Sequence, residues 1–90
     1  MNTAIVLINV EVDQTDRVAE QLASIDGISE VYSVAGKIDL IAILRVGKNA
    51  DLAELVTSKI RKIPGISLTE TLIAFRAYSR HDLAALIPLD

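Results

Sequence analysis

The sequence has no cysteine and no tryptophan, and its 90 residues include only two tyrosines, one phenylalanine, two prolines, four glycines and one histidine. Without cysteine there can be no disulfide framework, thiolate metal site or cysteine nucleophile, and nothing points to an oxidising compartment. The glycines stand singly, so no glycine-rich loop can cradle a phosphate. Positive charge is scarce: nine Lys and Arg against twelve Asp and Glu leave a formal charge of −3. The cations are also scattered, which argues against a chain that binds nucleic acid through its phosphates. Apolar runs such as Ala4–Ile8 and Leu40–Leu44 fall far short of the ~20 residues needed to span a bilayer. Met1 to Ile8 carry no Lys or Arg, and Asn9, Glu11 and Asp13 follow, the pattern of an opening strand rather than a signal peptide. A cytoplasmic module without membrane contact is expected.

Aliphatic side chains are what the chain has in abundance. Ile, Leu and Val fill 31 positions, and the mean hydropathy is +0.42. A domain of this size buries only roughly 60–65% of its unfolded surface. The apolar surplus therefore implies burial against a second copy of the chain.

The pattern predicts strand, helix, strand, strand, helix, strand. Ala4–Val12 alternates as a strand, with Val6, Ile8, Val10 and Val12 on one face and Ile5 and Leu7 on the other. Asp13 can cap a helix in which Val18, Leu22 and Ile25 recur, and Asp26-Gly27 ends it. Glu30–Ala35 and Ile38–Val46 form the next strands, joined at Gly36-Lys37. The second helix has the stripe Leu52, Leu55, Val56, Ile60 and Ile63, with acids early and bases late, and stops at Pro64-Gly65. Ser67–Tyr78 is the last strand. An internal echo links the halves, because Ile25-Asp26-Gly27-Ile28-Ser29 matches Ile63-Pro64-Gly65-Ile66-Ser67. Two interleaved crossovers give an α+β, ferredoxin-like βαββαβ sandwich over residues 1–78, with both helices on one face of an antiparallel sheet. Residues 79–90 read as a short helical tail built on Leu83, Leu86 and Ile87.

The uncovered face of that sheet is too apolar to meet water. It holds Ile5, Leu7, Ile41 and Ile43, together with one alternating pair of the last strand, Leu72/Ala74 or Ile73/Phe75; Ile73 and Phe75 are the pair assigned here. A sheet-to-sheet homodimer follows, unless the tail folds over the face.

Chemistry is sparse. His81, beside Arg80 and Asp82, reads as a solvated helix-start residue, and Asp13/Asp16 and Asp51/Glu54 have the spacing of helix caps. No catalytic residue, metal site or cofactor is expected. The hairpin from Ser33 to Asp39 is more suggestive. Gly36 leaves backbone N–H groups open, and Lys37 and Asp39 offer both signs of charge, as a zwitterionic amino acid would need. Gly36 making the turn and Asp39 capping it explains the same residues without a ligand. Thr69 and Thr71 alternate on the last strand, which β-propensity alone accounts for.

The run Ile28-x-x-Val31-Tyr32-x-Val34-x-Gly36-x-x-Asp39-Leu40 resembles the effector-binding domain of the Lrp/AsnC transcriptional regulators. So does Ile63-Pro64-Gly65-Ile66-x-x-Thr69-Glu70-Thr71-x-Ile73, and the likeness extends from Ala4 to about Tyr78. The resemblance implies a ferredoxin-like domain that pairs sheet against sheet and assembles into rings such as octamers, with amino-acid effectors at subunit interfaces. It gives Gly36, Lys37, Ile38 and Asp39 a place in the effector pocket, with Thr69 and Thr71 as neighbours. Lys37 and Ile38 stand where an acidic or polar residue followed by an aromatic is common. The chain starts at the first strand of that domain, which leads us to expect a stand-alone module with no direct DNA contact, able to mix with a full-length regulator. The expected function is a non-enzymatic, amino-acid-responsive oligomerisation module. A structural scaffold without effector, or a small dimeric ferredoxin-like enzyme, are the alternatives.

Overall fold

The computed structural model describes residues 1–78 and 80; the tail around Leu83, Leu86 and Ile87, and His81, lie outside the described residues. Strand β1 (Asn2–Val10) leads to α1 (Thr15–Ala23), then to β2 (Ile28–Ser33) and β3 (Leu40–Val46). Helix α2 (Asn49–Glu54) continues into a π-helical segment (Leu55–Ile60), and β4 (Ile66–Ile73) closes the chain order. The four antiparallel strands lie in the order β2-β3-β1-β4. The two most apolar strands are thus central, as expected of a ferredoxin-like sandwich.

One face of the sheet supplies the core. Ala4, Val6 and Ile8 of β1 and Leu40, Ala42 and Leu44 of β3 are completely buried beneath Val18 and Leu22 of α1 and Ile60 of the π segment. Among the described residues no polar side chain is buried, so this core is held by apolar burial and packing alone.

Helix α1 enters differently from the expectation. Asp13 takes a left-handed φ of 64°, Gln14 occupies the cap position, and no side chain bonds the first turn. Arg17 of α1 is exposed and reaches across to the second half of the chain. Its guanidinium donates to the Pro64 carbonyl and to Gln14 Oε1 at 2.8 Å.

The internal echo is visible in the backbone. Gly27 and Gly65 have φ of 98° and 99°. After each, a matching N–H closes the turn, Ile28 to the Ile25 carbonyl and Ile66 to the Ile63 carbonyl. Glycine is required at both, because a side chain at such φ is strained.

The second helix is where the regular period fails. Leu55 and Ile60 both face the sheet, yet five residues are about 1.4 turns of an α-helix. The wider π turn, marked by the Arg61 N–H donating to the Val56 carbonyl at 3.0 Å, brings both side chains to the core. Strand ends also shift: β2 starts at Ile28, β3 at Leu40, and β4 stops at Ile73 rather than Tyr78.

Candidate functional site

Register decides which residues share the uncovered face. Ile5 lies opposite Ile43 on one side and Leu72 on the other, and Leu7 lies between Ile41 and Glu70. Tyr32 is opposite Ile41 and Glu30 opposite Ile43. The face is therefore an apolar centre of Ile5, Leu7, Ile41, Ile43 and Leu72, with Glu70 of β4 at one margin and polar residues on the β2 side at the other. There Arg45 pairs with Glu30 at 3.0 Å and the Tyr32 hydroxyl donates to Glu30 at 3.2 Å.

The pair expected from β4 is out of phase. Ile73 is opposite Ala4, a core residue on the helix side, so it does not belong to the uncovered face; Leu72 does. Phe75 lies beyond the end of β4 and is 97% exposed. Leu72 and Ile73 are both apolar, so alternation could not set the phase, and only pairing with β1 does.

Between β2 and β3, the Val34 N–H donates to the Asp39 carbonyl at 3.1 Å and closes the Gly36–Asp39 hairpin. Gly36 has φ of 130° and open space where a Cβ would stand. Lys37 is exposed, and Ile38 and Asp39 are half-buried. Asp39 Oδ2 accepts the Val10 N–H at 2.9 Å, so this carboxylate is tied to the backbone of β1.

Thr69 and Thr71 stand elsewhere. They pair with Ile8 and Val6 and therefore point to the helix side. They line a groove of about 420 Å³ together with Val56, Arg61 and Ser67. Beyond Val56 and Thr71 the groove continues for about 370 Å³ between Leu52, Ala53 and Ile73. One end offers a guanidinium and hydroxyls, the other is apolar, and this combination suits a small amphipathic molecule. Leu40, Ile8 and Thr69 form one row across the sheet, so the hairpin and groove share an end of the sheet with β1 between them. Within one subunit they do not form a single cavity. Sequence reasoning missed Arg61, which read only as one of several late cations on the second helix, and Asn9, whose Oδ1 accepts the Asp39 N–H at 3.1 Å only because the hairpin folds back on it. Among the described residues no cluster of His, Asp or Glu is placed to hold a metal ion, and no helix is long and apolar enough to cross a membrane.

A four-stranded antiparallel sheet with helices on one side, and an apolar opposite face that no other described element covers, defines a ferredoxin-like domain. The family described as the Lrp/AsnC ligand-binding domain matches residues 3–84, and the chain belongs to it. An HTH-type transcriptional regulator of Pyrococcus horikoshii is 40% identical over 76 residues, covering 81% of this chain and 51% of the relative. The chain thus spans about half the length of the curated relatives it matches. A Thermus thermophilus protein of known structure is 41% identical, with a TM-score of 0.84 over 89% of this chain and 100% of that one. A Neisseria meningitidis transcriptional regulator, solved in complex with L-methionine, shares the fold at a TM-score of 0.78 and 7% identity, over 88% of this chain and 53% of that one.

Proposed function

We propose that this chain is a non-enzymatic, amino-acid-responsive oligomerisation module of Lrp/AsnC-type transcriptional regulation. The observation that carries the reading is the uncovered sheet face. Ile5, Leu7, Ile41 and Ile43 remain only half-buried although the opposite face already supplies a complete core, and a contiguous apolar patch of this kind calls for a partner. Two copies packed face to face cover it, and such dimers can assemble further into a ring. Effector binding at the Gly36–Asp39 hairpin and at the Thr69/Thr71 groove, where subunits meet, shifts the assembly by its differential affinity for the two states. Subunit exchange with a full-length regulator would carry that response to DNA. The methionine held by the Neisseria regulator supports an amino acid as the effector class.

A structural scaffold without effector is the competing reading, favoured by the bond between the Asp39 carboxylate and the Val10 N–H. Thermal unfolding of the purified chain with each common amino acid at millimolar concentration separates the two. An effector at 100-fold above its Kd adds about 2.7 kcal/mol, a shift of several degrees. One or a few selective shifts support the sensor; a flat panel from a protein that is still oligomeric supports the scaffold.

A further inference from the structure

We infer that Asp39 is a positioning residue, latching the Gly36–Asp39 hairpin to an irregular stretch of β1 instead of serving as a charged contact for effector. The inference rests on the effector-binding reading of that hairpin. Pairing between β1 and β3 ends at Ile8 and Leu40, and the register of β1 against β4 shifts between Asn9 and Val10. The Val10 amide therefore lies past the end of the β3 ladder. Asp39 Oδ2 accepts it at 2.9 Å, a charge-assisted bond. In the opposite direction the Asp39 N–H donates to the Ile8 carbonyl and to Asn9 Oδ1, each at 3.1 Å. One residue thus replaces the missing rungs with its side chain and its backbone.

On the far side of the same stretch, the Glu11 N–H donates to the Gly65 carbonyl at 2.7 Å, immediately before β4 and the wall of the groove. The segment from Ile8 to Glu11 is therefore clamped between hairpin and groove, and joins the two parts of the candidate site. The groups this latch holds in place are those the hairpin has to spare. Lys37 is exposed, and the N–H groups of Gly36, Lys37 and Ile38 make no hydrogen bond among the described residues.

Two substitutions separate geometry from charge. Asp39→Asn keeps an Oδ1 acceptor for the Val10 amide and removes the charge; Asp39→Glu keeps the charge and displaces the acceptor. The readouts are amide hydrogen exchange at Val10 and thermal unfolding with each common amino acid added singly. Asp39→Asn is expected to keep the wild-type thermal shifts and to speed Val10 exchange only by a few-fold, since the acceptor stays and only its charge is lost. Asp39→Glu is expected to speed exchange at Val10 by about tenfold or more, the loss of a hydrogen bond to a charged group, while Val6 and Ala42 stay protected. It should also diminish whatever shift an amino acid gives the wild type. The opposite order, with Asp39→Asn abolishing the shift while Val10 stays protected, overturns the inference, as does unchanged Val10 exchange in Asp39→Glu. A wild-type panel without any shift defeats the effector reading itself, and Val10 exchange then decides the latch alone.

Discussion

Gly27, between α1 and β2, and Gly47, between β3 and α2, differ in what surrounds them. A Cβ on Gly27 would stand 2.7 Å from Leu55 Cδ1 and 3.2 Å from Val46 Cγ1, at a φ of 98°. Strain and overpacking act together there, so Gly27→Ala is expected to cost at least about 2 kcal/mol. Gly47 has open space and no positive φ. Gly47→Ala should be neutral or stabilise by about 0.4–1 kcal/mol, through the unfolded chain. Urea midpoints of the two variants, at unchanged slope, measure the difference. At this scale the sequence was only half informative. Gly27 announced itself as a helix terminator, but the side chain of Leu55 that makes it irreplaceable arrives from 28 residues away, and no local pattern contains that contact.

At the scale of elements, the second helix is the instructive case. Its apolar stripe was legible, and Leu52, Leu55, Ile60 and Ile63 are indeed buried. The π-helical turn was not, because an amphipathic stripe tolerates a phase slip that only the shape of the sheet beneath it can select. The slip makes a prediction. In a regular α-helix Leu55 and Ile60 could not both face the core, and truncating one would cost little. With the π segment, Leu55→Ala and Ile60→Ala are each expected to cost about 2–5 kcal/mol, while Lys59→Ala stays within about 0.5 kcal/mol. Chemical denaturation of the three variants tests it. Strand β4 shows the same limit. Its existence could be read from Ile66 to Ile73, whereas the face presented by Leu72 and Ile73 depends on a register with β1 set more than sixty residues earlier in the chain. The candidate site divides likewise: the hairpin is a local motif and was found, but the groove is made by two elements meeting and was not.

Across the domain, the proposed assembly gives the two faces of the sheet separate tasks, and substitutions should separate them. Ile43→Glu places a charge in the centre of the uncovered face. It is expected to shift the assembled protein to a monomer that remains folded, as light scattering coupled to gel filtration and circular dichroism will report. Ile73→Glu, on the helix side and half exposed, should leave the assembled mass unchanged. Reversed outcomes would return Ile73 to the interface. That the sheet has a spare face was legible from Ile5, Leu7, Ile41 and Ile43 because they alternate with core residues that are apolar as well.

The position of β1 has a consequence for biosynthesis. Val6 lies between Ala42 and Thr71, so the strand made first waits for partners that emerge 36 and 65 residues later. At the usual pace of translation, about 5–20 residues per second, the second wait is roughly 3–13 s. Local contacts cannot shorten it, since topologies dominated by distant pairings fold slowly. Until β3 emerges the nascent chain displays Ala4–Ile8, an apolar segment with two open edges, and until β4 emerges one edge stays open, an exposure that favours self-association during synthesis.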